Sequence, residues 1–268
     1  MRYIFIIIYL TFLNSNAQQS NNSTIKIQYA ESISYIPSII NNYIGTLYVQ
    51  NEFSHYQSDY RNTEKTQSKD EEDIVIVNST EFKFSNEVFI DNKAKKLTEN
   101  LYENKFLKKS FSVYEDLPKM KWTFLKDEKK INNFICKKAK TTFRGRTYLV
   151  WYTEKIPVSS GPWKFNGLPG LILSAEDDEG IYKWDVINIK YPYKGTDINL
   201  KNTYSKRFKY NKLSFKEYDE KLITAIKDKV KTVKARSSGR DGIRVGFEYS
   251  TFQDKEPINE WRSQMVFR

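Results

Sequence analysis

Apolar and polar residues alternate along most of the chain between residues 24 and 191, in short runs broken by turn formers. Residues 24–35 and 44–56 each read as a strand; in the second, Leu47 and Val49 alternate with Tyr48 and Gln50. Residues 59–73 are polar and charged with no apolar period, which predicts a loop or insertion. Short β-like runs follow at 73–78, 81–84, 88–91, 95–102, 109–115 and 121–126, and Asp127-Glu128-Lys129 reads as a hairpin turn. Strands at 133–142 and 147–154 are joined across Arg144-Gly145-Arg146, and strands at 171–176 and 181–191 across Asp177-Asp178-Glu179-Gly180. Strands at this spacing with hairpin turns predict an antiparallel meander. In the last strand the period changes phase: Tyr182, Trp184 and Val186 share one face, Ile187, Ile189 and Tyr191 the other. A bulge near Val186-Ile187 would bring both sets to one side and curve the sheet.

One helix stands out. Ser214 and Glu217 form a capping box, and Phe215, Tyr218, Leu222, Ile226, Val230 and Val233 recur at spacings of three and four. The predicted fold is therefore mainly β: a curved antiparallel meander sheet, a half-barrel like that of lipoprotein carriers, with one packed C-terminal helix over 214–234. The expected organisation is a signal peptide at 1–17, a single β-rich domain at 18–235 and a partly ordered tail at 236–268.

The densest segment runs from Gly161 to Ile172. It holds Gly161-Pro162-Trp163-Lys164-Phe165-Asn166 and then Gly167-Leu168-Pro169-Gly170-Leu171-Ile172. A loop is normally polar, yet this one is apolar, aromatic and rich in turn formers. Pro169-Gly170 suits the centre of a type II turn, which needs φ > 0 at the glycine. Together with Tyr148 to Tyr152, Ile156-Pro157, Trp122, Ile135 to Ala139 and Phe143 to Arg146, this segment resembles the GLPGLI family of secreted proteins from the Bacteroidota. The resemblance covers roughly residues 97–191 and implies export; it implies no catalytic residue.

The N-terminus agrees with export. Arg2 precedes an apolar run over residues 3–13, and Ser15-Asn16-Ala17 offers a cleavage site, so the mature chain is expected to begin at Gln18, without stable membrane insertion. It is expected in the periplasm, outside the cell or at the cell surface. The formal net charge is +11, spread over a lysine-rich chain. Export argues against nucleic acid as the partner and leaves anionic membrane surfaces or acidic partners. Cys136 is the only cysteine, in an apolar strand-like run, and is expected buried and inert.

Few side chains suit catalysis. His55 is the only histidine, there is no nucleophile elbow, and no phosphate-cradling glycine loop or metal-ligand spacing occurs, so no cofactor or metal is expected. The candidate ligand-binding residues are Trp151, Trp163, Phe165, Leu168, Leu171 and Trp184, lining a concave face with the 161–172 loop as rim or lid. Gly161, Pro162, Gly167, Pro169 and Gly170 are the candidate turn residues, and Arg144 and Arg146 candidate anion contacts. The expected function is non-enzymatic binding of an apolar or amphipathic molecule, or of an extended peptide. A hydrolase using Glu154 and a second carboxylate is the rival, and a protein-interaction part in an envelope assembly the third reading.

Overall fold

The computed structural model describes residues 24–36, 39–59, 87–102, 106–195 and 198–237. The signal-like stretch, the runs at 73–78 and 81–84 and the residues after 237 lie outside them. The described residues form twelve strands and two helices. In chain order these are β1 (Ile25–Ile36), β2 (Ile39–Gln50), β3 (Phe53–Asp59), β4 (Glu87–Asp91), β5 (Lys96–Leu101) and β6 (Phe111–Asp116), then β7 (Thr123–Ile131), β8 (Phe134–Phe143), β9 (Arg146–Thr153), β10 (Leu171–Asp177) and β11 (Tyr182–Lys190). Helix α1 (Leu200–Ser205), strand β12 (Asn211–Ser214) and helix α2 (Phe215–Ser237) follow.

All twelve strands share one sheet, in the order β12-β6-β5-β4-β3-β2-β1-β11-β10-β9-β8-β7. Two antiparallel meanders meet where β1 pairs with β11, and only the short β12 runs parallel to its neighbour β6. The connections show that the sheet is curled. Only residues 117–122 join β6 to β7, a reach of at most about 25 Å. In a flat sheet those strands, ten positions apart, would lie about 48 Å from each other. The predicted bulge contributes to the curl: Gln28 pairs with Asn188 but Tyr29 with Val186, so Ile187 is the extra residue.

Two strand boundaries differ from the sequence reading. The run at 44–56 is broken at Asn51-Glu52, where Asn51 takes φ 54° and turns β2 into β3. Asp127-Glu128-Lys129 is no turn; it lies within β7, and the hairpin closes at Asn132-Asn133. Those charges belong to an edge strand, where polarity guards against unwanted pairing rather than marking a bend.

The concave face carries the main core, including Tyr29, Leu47, Tyr56, Tyr148, Val150 and Trp184. The convex face is covered on one side by the chain that returns from β11 to β12. It lies along a cross-strand row of Lys26, Tyr48, His55, Phe89, Thr98 and Tyr114. Tyr193 meets Tyr48, Tyr204 meets Phe53, Arg207 Nε donates to Thr98 Oγ1 at 3.1 Å, and Phe208 meets Tyr114. This strap and β12 were not evident from the sequence, because their residues follow neither period. Helix α2 begins at the predicted capping box, with Ser214 N donating to Glu217 Oε2 at 2.7 Å. Its Phe215 and Tyr218 pack on Phe111 and Val113 of β6.

His55 stacks flat on Phe89, with ring centroids 4.3 Å apart, beneath the strap. Burial brings its pKa down to about 4; Glu87 opposes that shift and Lys209 adds to it. The neutral ring is thus the form that fits. A lowered folded-state pKa gives stability that is complete above about 6.5 and lost as pH falls toward 4. Chemical denaturation should show about 2 kcal/mol lost between pH 7 and pH 5. His55→Phe should flatten that slope. An unchanged slope in the variant would place the acid sensitivity elsewhere.

Candidate functional site

Between β9 and β10, residues 154–170 leave the sheet and fold back over the concave face. The loop's own backbone pairs with the start of β10: Leu171 N donates to Ile156 O and Ile172 N to Ser160 O, each at 3.0 Å. Four further contacts set its shape. Phe165 N donates to Pro162 O at 3.2 Å, closing a tight turn. Gly167 N donates to Ser159 Oγ at 2.7 Å. Asn166 Nδ2 donates to Lys164 O at 2.9 Å. Trp122, in the connection from β6 to β7, donates its indole N–H to Asn166 O at 2.9 Å.

In the Pro162–Phe165 turn, only Trp163 of the two central residues has positive φ, at 52°. Glycine is usual there, and a bulky residue in that region is strained by about 1–3 kcal/mol. Aromatic packing holds it. The Trp163 indole stacks parallel to Trp184 at 6.3 Å and meets Phe143, Tyr148 and Phe165 at 5.4 to 5.9 Å.

Four of the six candidate ligand residues, Trp163, Phe165, Leu168 and Trp184, meet on the concave side, and none is more than 3% exposed. Leu171 is fully buried too, but it pairs with Thr153, on the row opposite to that of Tyr152 and Ile172. Trp151 stands apart. Alternation along β9 turns Tyr148, Val150 and Tyr152 inward and leaves Trp151 half-buried on the other face. Lys129 lies 4.3 Å and Lys138 5.4 Å from its ring. The loop thus occupies the face on which a ligand was expected.

The turn residues divide by physical cause. Gly167 takes φ 92°, a left-handed conformation that suits glycine. Gly170 does not take the positive φ that a type II turn at Pro169-Gly170 requires. Its need is space: a Cβ there would lie 2.1 Å from Thr153 O and 2.6 Å from Thr153 C. Gly161 is likewise packed, with a Cβ at 2.9 Å from Ile172. Pro162 is buried in the turn and Pro169 faces solvent.

The two arginines bind carboxylates of this same chain. Arg144 and Gly145 are the two residues of the β8–β9 hairpin loop, both at positive φ, as a type I′ turn demands. Arg144 tolerates this because its guanidinium is anchored. It grips Glu115 with Nη2 at 2.5 Å and Nη1 at 3.3 Å, and lies over the Phe215 ring at 4.4 Å. Arg146 bridges Asp177 and the exposed Glu179. Asp177 is fully buried, and its second oxygen accepts Tyr182 N at 2.6 Å. It is thus a structural anion, while Asp178 and Glu179 keep the exposed turn the sequence suggested.

Sequence reasoning missed the most unusual group. Lys164 is 1% exposed, with Nζ 2.8 Å from Glu99 and 3.5 Å from Glu115. Lys164, Arg144, Glu99 and Glu115 form an ion cluster capped by Phe215 of α2. The cluster ties the loop and the β8–β9 turn to β5 and β6 across the curled sheet. A lone lysine between Trp163 and Phe165, inside an apolar run, was the available signal. Glu154, the carboxylate weighed for hydrolysis, forms a surface pair with Lys137 at 2.9 Å. Cys136 is fully buried and burial pushes its thiol up, away from the reactive thiolate.

A family model described as a protein of unknown function (Porph_ging) matches residues 140–174. That match spans the last four residues of β8, all of β9, the loop and the first residues of β10. No curated protein matches the chain. Among solved structures, PNGF-II in a P21 crystal form is 17% identical, with a TM-score of 0.48, over 76% of this chain and 34% of that one. The same protein in a C2 form gives 17%, 0.47, 75% and 33%. This chain therefore spans about a third of the PNGF-II structures. An uncharacterized conserved protein from Thermus thermophilus is 12% identical, with a TM-score of 0.36, over 72% of this chain and 92% of that one. These likenesses are too loose to assign an activity.

Proposed function

We propose that this chain is an exported, non-enzymatic binding protein of the cell envelope, of the GLPGLI type found in the Bacteroidota. Its ligand is an apolar or amphipathic molecule, or an extended peptide, taken on the concave face when the 154–170 loop swings outward. The observation that carries this reading is Trp163. Its ring lies parallel to that of Trp184, with centroids 6.3 Å apart, and its backbone takes φ 52° within a shell of aromatics. A permanent plug has no need of strain, whereas a displaceable one gains by its relief on opening. The loop contributes Trp163 and Leu168 as lid residues, and Trp184 belongs to the floor beneath them.

Native mass spectrometry of the protein taken from its own host is the test. A reproducible added mass is expected on the wild type, lost in a folded Trp163→Ala variant. Bare protein in every preparation would sink the proposal.

A further inference from the structure

One edge of the sheet carries a dense run of lysines. Residues 119–140 hold eight lysines against Asp127 and Glu128, a net +6 of the whole chain's +11. They occupy the approach to β7 and the β7–β8 hairpin. Seven of the lysines are exposed and Lys138 is half-buried. Among the described residues only one of the eight, Lys137, makes an ion pair, with Glu154. Three lysines elsewhere on the sheet are matched, Lys96 with Asp116, Lys183 with Asp185 and Lys209 with Glu87. Phe124 and Ile135 project among these lysines at 60% and 54% exposure.

Three features decide what fits this edge. First, its cations are all lysine. The planar arginine fork that grips single carboxylates is missing here, and protein interfaces are depleted in lysine; point charges on flexible stems suit a diffuse anionic surface. Second, strand addition is hindered. The β7–β8 register breaks between Phe124 and Glu128, so an incoming strand would find few consecutive residues, and a second copy would bring the same positive charge. Third, the apolar side chains sit within the charged field. At a bilayer surface, lysines meet headgroup phosphates while Phe and Ile enter the boundary with the acyl chains. We propose that the β7–β8 edge is a peripheral membrane-binding surface for anionic phospholipid headgroups. It lies at an edge of the sheet, apart from the Trp163–Trp184 stack on the concave face, and does not depend on any ligand there.

The test is co-sedimentation with phosphatidylcholine vesicles and with equimolar phosphatidylglycerol–phosphatidylcholine vesicles, at low and high salt. The protein should partition onto the anionic vesicles only, and salt should release it. Each exposed lysine should contribute about fivefold, so a combined Lys121→Gln, Lys126→Gln, Lys130→Gln and Lys140→Gln variant should bind at least about a hundredfold more weakly. Phe124→Ser should weaken binding while leaving its salt dependence intact. Thermal melts that match wild type would show the variants folded, as expected for exposed positions. Equal partitioning onto neutral vesicles, failure to bind anionic ones at low salt, or a four-lysine variant that binds like wild type would each overturn the proposal. Release of the bound protein by a poly-glutamate peptide at matched charge would reassign the edge to an acidic protein partner.

Discussion

Lys164→Ala should destabilise the protein by about 3–5 kcal/mol, a large share of what a domain of this kind has. The cost is less the lost attraction than what it leaves behind. Glu99 and Glu115 lie on adjacent strands, β5 and β6, and both are largely buried. Arg144 grips Glu115, so Glu99 is the carboxylate that loses its 2.8 Å partner. A buried carboxylate without its cation must either stay ionised in a poor solvent or take up a proton. The pair is therefore costly to break and inexpensive to replace, since an apolar pair of similar size avoids desolvation altogether. Lys164→Met with Glu99→Leu should recover most of the stability that Lys164→Met alone loses. Urea denaturation of the two single variants and the double gives the coupling, expected at about 2 kcal/mol or more. Additive losses would show that Lys164 acts through packing alone. The same reasoning explains why the cluster is capped by Phe215: the ring excludes water and offers its face to both cations, at 4.4 and 5.0 Å.

How legible these features were depended on whether their cause was local. The β8–β9 hairpin was readable, because period-two alternation and turn residues act within a few positions; Arg144-Gly145 and the bulge at Ile187 appear where the sequence placed them, whereas the β2–β3 and β7–β8 turns do not. The capping box was readable for the same reason. The strap over the convex face was not, since Tyr193, Tyr204, Arg207 and Phe208 are set by partners on strands far away in sequence. The candidate site shows the same division. The 161–172 segment announced itself by composition, and its aromatic residues do gather on the concave face. That Trp151 would stand apart followed from the alternation in β9, which composition alone does not convey. The partners of Lys164, Arg144 and Arg146 are long-range carboxylates, and no spacing rule links them to those residues.

Gly170 and Gly180 offer the sharpest division between two reasons for a glycine. Gly180 takes φ 70° in the β10–β11 turn, and a Cβ there would meet nothing within 4 Å. Gly180→Ala should therefore cost only the backbone penalty of the left-handed region, about 1 kcal/mol. Gly170 has the opposite problem. Its φ is one an L-residue accepts, but its Cβ would lie 2.1 Å from the Thr153 carbonyl oxygen and 3.0 Å from Glu154 Cα. Those neighbours are backbone atoms at the end of β9, paired to β10 through Thr153 and Leu171, and no rotamer change removes them. The loop must move outward to admit the methyl group, which pulls Leu168 and Leu171 from the core. Gly170→Ala should cost about 3 kcal/mol or more, at the upper end of overpacking. It should also raise the accessibility of the Trp163 indole to a fluorescence quencher, a change that Gly180→Ala should not produce. Equal losses in the two variants would mean that turn conformation, not the close approach of loop and strand, is what glycine provides at position 170.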